Sequence, residues 1–201
     1  MFRIENFRGK KLTFLLMACF CAGELAGAMA YCASGASGSS VLGQIAEIFF
    51  RNKLGCTFIQ TVVNSFSGVF LLVLICMLLG FGAIFQPFEA AVPFFHGLGI
   101  GVMLAEMNAV YGVNGFIVSV LMIIPYAVAS AITVIAAARE AVFMSFSVGK
   151  SIFRMEQRSE VDFKLYFTKF LVLFGIAAFL SLADSVITYF FAGLWTRFLG
   201  I

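Results

Sequence analysis

Three acids interrupt the long apolar runs of this chain, Glu24, Glu106 and Asp184, and they are the first candidates for chemistry. Glu24 and Asp184 fall near the centres of their runs, with no Lys or Arg at that depth. Two central carboxyls are a minimal proton or cation path; the plainer alternative is that they knit helices together through hydrogen bonds. The energetics favour a sheltered Glu24. A charge at the centre of a span opposes insertion by about 2.5–3.5 kcal/mol, while each Leu, Ile or Phe returns only about 0.3–0.6 kcal/mol. Leu12, Phe14, Leu15, Leu16, Phe20 and Leu25 together return roughly 3 kcal/mol by that scale. The sum is near zero, so the first helix depends on its neighbours and Glu24 is expected to face the bundle. Such a lone acid is expected to be protonated or hydrogen-bonded to Ser, Thr or Tyr groups. Glu106 lies nearer the outer end of its run, where water reaches it at lower cost.

Other chemistries lack their residues. His96 is the only His, so no His pair exists for a metal and no zinc-protease helix can be drawn. "GLGIG" follows no strand, which excludes a dinucleotide or phosphate loop, and no Ser sits in a nucleophile elbow. No catalytic residue, cofactor or metal is expected, and the chain does not read as an enzyme. Cys19, Cys21 and Cys76 lie inside apolar runs as small fillers, while Cys32 and Cys56 flank an outer loop and are expected to stay unpaired.

These residues sit in a chain of 201 residues that is 62% apolar and 11% charged, with 26 Phe and a mean hydropathy of +1.06. Its 13 Lys and Arg and 10 Asp and Glu are too few to cover that apolar surface in water. The expected class is all-α, a polytopic membrane helix bundle in a single domain. Five spans emerge, at about 12–31, 57–79, 90–110, 115–138 and 170–195. With the N-terminus in the cytoplasm, ten basic residues lie inside (Arg3 and Lys10 among them) and Arg51, Lys53 and Arg197 outside. That bias predicts N-terminus in, C-terminus out, and it assigns the +3 charge to topology rather than to nucleic acid. The competing reading of the start is a secretory signal ending at "GAMA"; Glu24 and the full length of the run argue against it.

Two polar segments carry amphipathic patterns. In "VLGQIAEIFFRNK" (41–53) the apolar residues share one helical face and Gln44, Glu47 and Arg51 another. This predicts a short helix on the outer surface, either a cover for the bundle or a docking platform for a partner. "REAVFMSFSVGKSIFRM" (139–155) predicts an inner interfacial helix on anionic lipid. Small residues four apart, Gly23 and Gly27 in "GELAG" and Gly97 and Gly101 in "GLGIG", predict close helix contacts and a face for self-association. Pro87 and Pro93 are expected to end the second helix, turn the chain through Gln86 and Glu89, and start the third. Gly112, Asn114 and Gly115 supply positive φ to a tight turn, and Pro125 kinks the fourth span, with Tyr126 placed to satisfy the freed carbonyl.

"HGLGIG", "YGVNG" and the mid-span proline of "LMIIPY" occur in an order that resembles the stage II sporulation protein M family, best between Gly80 and Ser145. This chain departs from the family pattern after that proline, with Tyr126 where Gln is common. The resemblance implies an integral membrane protein without catalytic residues, resident in the septal or engulfing membrane during sporulation. It would anchor two peptidoglycan-degrading proteins there, a lytic transglycosylase and an amidase/endopeptidase. Partners would dock on the outer elements, including Gly35 to Cys56 and Tyr111 to Gly115. The alternative reading is a transporter or permease component using Glu24 and Asp184.

Overall fold

A computed structural model of the protein describes residues 2–34, 44, 57–82, 84–153 and 163–199. All regular elements among them are helical: α1 (Phe2–Ala33), α2 (Phe58–Leu79), α3 (Gln86–Val118), a π-helical turn (Ser119–Ile123), α4 (Ile124–Phe153) and α5 (Phe163–Leu199). Four helical stretches in the described residues are long and apolar enough to cross a membrane: Lys10–Ala33, Phe58–Leu79, Gln86–Gly149 and Phe163–Phe191. Their outward faces are covered with exposed Phe, Leu and Ile, such as Phe14, Leu71, Ile132 and Phe190. In water that surface would be untenable, and in lipid it is the solvent-matched side. The chain is a multi-pass membrane protein.

The third stretch is the longest at 64 residues, and it does not run straight. His96 and Ser130 would lie about 50 Å apart on one uninterrupted helix, at 1.5 Å per residue. Instead His96 Nε2 and Ser130 Oγ are 3.1 Å apart. The fold-back is made at Gly112, whose φ of 57° and ψ of −133° are closed to residues with a Cβ. Beyond it Gly115 presses on Met107 so closely that a Cβ would collide with the Met107 carbonyl. Met107, Val118, Met122 and Ile123 then close the small core of this hairpin. Positive φ is needed at Gly112 alone, whereas Asn114 and Gly115 are helical and Gly115 is required for contact. Nothing crowds Gly112, so Gly112→Ala isolates backbone strain from sterics. It should lower stability by about 1–3 kcal/mol, read as earlier thermal unfolding of the detergent-solubilised protein.

Glycines also set the course of α1. A Cβ on Gly23 or Gly27 would strike the carbonyls of Phe94 and Leu98, and one on Gly97 or Gly101 the carbonyls of Phe20 and Glu24. Residue numbers rise together on the two helices, so α1 and α3 run parallel. The two small-residue motifs therefore face each other within one chain, at a distance that allows Cα–H···O contacts. Cross-helix pairs fix the remaining directions. Ser65 meets Asp184 and Met77 meets Tyr166, so α2 and α5 are antiparallel; Ser65 meets Tyr126 and Gly82 meets Ser145, so α2 and α4 are parallel. Lys10, Lys11, Arg139, Lys164 and Lys169 consequently gather at the end where α1, α3 and α5 begin.

The centre is α4. Its Ala127, Ala131, Ala137, Ala138 and Ala141 are buried, and small side chains let α2, α3 and α5 pack close. The main core joins Val69, Val73 and Cys76 of α2 to Val134 of α4 and to Tyr166, Phe170 and Ala177 of α5. Segment 139–155 is no separate interfacial helix up to Phe153. It continues α4 and buries Ala141, Val142, Met144 and Ser145, because the helix carries its packed face past the apolar run; residues 154 and 155 lie outside the described residues.

The prolines depart from expectation. The chain turns between Gly80 and Phe85, and α3 already begins at Gln86 with Pro87 in its first turn, where a missing N–H costs nothing. Pro93 lies inside the helix and is fully buried, leaving the Glu89 carbonyl without its usual helical donor. Gln86 and Glu89 are therefore helical residues rather than turn residues. Around Pro125 the ladder widens into the π-helical turn, with the Ile124 N–H donating to Ser119. Tyr126 does not repair that site; its hydroxyl donates to the Ser65 carbonyl of α2 at 2.8 Å.

Candidate functional site

Buried polar groups cluster at three depths of the bundle. In the half away from the basic end, the Ser65 hydroxyl donates to Asp184 Oδ2 at 2.8 Å, while Tyr126 holds the Ser65 carbonyl. One residue of α2 thus ties α5 and α4 together. Asp184 is 4% exposed, and Ser181 and Ser185, one helical turn or less away, return their hydroxyls to their own helix carbonyls. Midway, Ser130 donates to the Ala127 carbonyl at 3.0 Å. With that proton committed, Ser130 Oγ accepts from His96 Nε2, which assigns the ring proton to that nitrogen. The Phe20 ring lies 6.0 Å from the His96 ring, so α1 closes over the pair.

At the basic end, Tyr166 donates to the Met77 carbonyl at 2.9 Å and Ser145 to the Gly82 carbonyl at 2.8 Å. The Met77 carbonyl is one freed where α2 ends and is satisfied by a neighbouring helix rather than by water, while the Gly82 carbonyl, in the turn that follows, also accepts the Phe85 N–H. Glu89 lies in the same region, within electrostatic range of Cys76 and Tyr166. It is 0% exposed, and neither carboxyl oxygen has a hydrogen-bond partner among the described residues.

The acids singled out from sequence are dispersed. Glu24 is half-buried on α1, which packs along α3 and α4 and not along α5, so Glu24 and Asp184 do not share a site. Gly23 and Gly27 are what α1 turns towards α3, and Glu24 sits beside that contact. Glu106 is 6% exposed rather than open to water, because Tyr31 at the end of α1 packs against the same turn of α3. Among the described residues no three His, Cys, Asp or Glu side chains converge on a metal-sized site. Gln44 is exposed, and Glu47, Arg51 and Cys56 lie outside the described residues.

Glu89 is the residue the sequence reading misplaced. Its signal was available in the spacing 89, 93, 97, 101, a four-residue row leading straight into the glycines of α3. Starting the helix at Ala90 hid it. What the arrangement does chemically is fasten helices: the Ser65, Tyr126, His96, Ser145 and Tyr166 side chains each bond to a residue outside their own helix.

No family model matches the chain, no curated protein matches it, and no solved structure matches it.

Proposed function

We propose that this protein is a non-enzymatic membrane scaffold that crosses the bilayer five times, with its N-terminus in the cytoplasm and its C-terminus outside. It holds peptidoglycan-degrading enzymes at the septum during sporulation. The observation that carries the scaffold reading is the use of intramembrane polar groups as cross-helix fasteners: Ser65 with Asp184 and Tyr126, His96 with Ser130, Tyr166 with Met77. The fold-back at Gly112 supports five crossings, since the arm from Gln86 to Tyr111 alone is about 39 Å long and a bilayer core needs about 30 Å. Alternating helix directions agree with that count. The gathering of Lys10, Lys11, Arg139, Lys164 and Lys169 at one end supports a cytoplasmic assignment for that end. The wall-remodelling role rests on the sequence resemblance between Gly80 and Ser145. The lytic transglycosylase and the amidase/endopeptidase are then the partners, recruited on the outer surface through residues 35–53.

Crosslinked pull-down of the tagged protein from sporulating cells tests this directly. Wall hydrolases should be recovered and should disappear when residues 35–53 are deleted. Recovery of an ATPase or a substrate-binding protein without wall enzymes would instead establish the second reading, a transporter component. Glu89 favours that second reading, as a fully buried carboxyl with no partner beside a proline-interrupted helix.

A further inference from the structure

At the basic end of the bundle α4 and α5 part to leave an open cavity of about 560 Å³. Its two walls change character in the same direction. On α5 the rim carries Lys164 and Lys169, and one turn deeper the lining is Val172 and Leu173; on α4 Glu140 lies at the rim and Ala136 one turn deeper. A groove that is cationic at the membrane border and hydrocarbon towards the bilayer centre matches one molecule of the membrane itself. We propose that it is a binding site for a single anionic glycerophospholipid, its phosphate between Lys164 and Lys169 and one acyl chain along Val172 and Leu173.

Charge selects the headgroup. Lys169 Nζ donates to Glu140 Oε2 at 2.6 Å, which leaves two of its three N–H groups for a ligand. Lys164 is exposed and has no acidic partner among the described residues. Among the described residues the rim therefore holds two positive charges and one negative, a net of one, which a single phosphodiester neutralises. A zwitterionic headgroup offers an ammonium that Glu140 cannot serve while it is paired with Lys169. Thr168 adds no donor, since its hydroxyl is committed to the Lys164 carbonyl at 2.8 Å. Depth comes from Ala136, where a larger side chain would fill the apolar end. The volume lies within the 300–1,000 Å³ typical of small-ligand sites. Phe163, Leu165 and Phe167, all about half exposed, flank the rim at the level of the headgroups.

Native mass spectrometry of the full chain, released from detergent with equimolar phosphatidylglycerol and phosphatidylethanolamine, reads the site. Retained phosphatidylglycerol should exceed phosphatidylethanolamine, and the excess should fall about fivefold for each lysine removed in Lys164→Gln and in Lys164→Gln/Lys169→Gln. Val172→Trp separates a groove from general surface attraction. Val172 is exposed, so the variant should fold, and it keeps every charge while blocking the acyl-chain lane. It should retain less phosphatidylglycerol than the native chain. Equal retention of the two lipids by the native chain, an unchanged excess in the double lysine variant, or native retention by Val172→Trp would each overturn the proposal.

Discussion

Gly101→Leu should separate α1 from α3 and cost about 3 kcal/mol or more, the upper range for overpacking a closed contact. The reason lies in what the new side chain would meet. Its Cβ would collide with the carbonyl oxygen, carbonyl carbon and Cα of Glu24, all backbone atoms of a helix that cannot yield locally. Gly23, Gly27 and Gly97 stand in equivalent collisions with Phe94, Leu98 and Phe20, so relief at one position would open all four. Most of the burial of α1 lies along this contact, with Leu16 in the main core and Tyr31 against Val102 as its further holds. Glu24 and the near-zero insertion balance make it worse: a first helix that leaves α3 loses the neighbour that keeps it in the membrane. Gly99, Gly68 and Gly175 provide the control, as a Cβ at any of them meets nothing within 4 Å. Alanine at those three should be neutral or stabilising by up to about 1 kcal/mol through helix propensity. Alanine at Gly23, Gly97 or Gly101 should destabilise. Thermal unfolding in detergent of this series gives the answer by sign alone. Gly101→Ala and Gly99→Ala shifting in the same direction would refute the zipper.

That contrast also marks how far sequence could reach. The all-helical membrane class was legible because 62% apolar content leaves no soluble alternative. Gly23, Gly27, Gly97 and Gly101 could be identified as close-contact residues from their spacing, but spacing does not say which face meets which. Their pairing within one chain depends on α1 and α3 running parallel, a property of the whole topology. The turn at Gly112 was legible as a turn, and which of its residues takes the positive φ was not, since Asn and Gly tolerate it alike. Burial of the acids was the least legible. Hydropathy places a residue along a helix axis and leaves its azimuth open, so Glu24 and Asp184 looked equivalent although one borders lipid and the other is enclosed by three helices. Glu89 was lost to a four-residue error in a helix start, in a region where Pro87 and Pro93 both read as boundaries.

Asp184 and Glu89 are both buried carboxyls, and replacing them by apolar residues should move stability in opposite directions. Asp184 accepts from Ser65, whose carbonyl in turn accepts from Tyr126. Asp184→Leu strands the Ser65 hydroxyl away from water and should cost about 1–3 kcal/mol. Asp184→Asn keeps a carbonyl oxygen where Ser65 donates and should recover most of that loss. A scaffold should then recruit its partners normally with Asn at this position, whereas a proton-coupled transporter should lose activity with its fold intact. Glu89 has no partner to strand. Met matches its length without branching, so Glu89→Met removes the desolvated carboxyl and retains the packing against the core. Replacing an uncompensated buried polar group in this way should be neutral or stabilising, by up to about 1–4 kcal/mol on the scale of buried ionic groups. A double replacement should be additive, because the two sites lie at opposite ends of the bundle and share no partner. If Glu89→Met instead destabilises as much as Asp184→Leu, Glu89 holds something that its unpartnered oxygens await. Loss of an uptake activity at constant stability would identify it as the working acid of the transporter reading. Stabilisation with undisturbed recruitment would leave the buried acids as fasteners where partnered and as tolerated strain where not, which is what a scaffold requires of them.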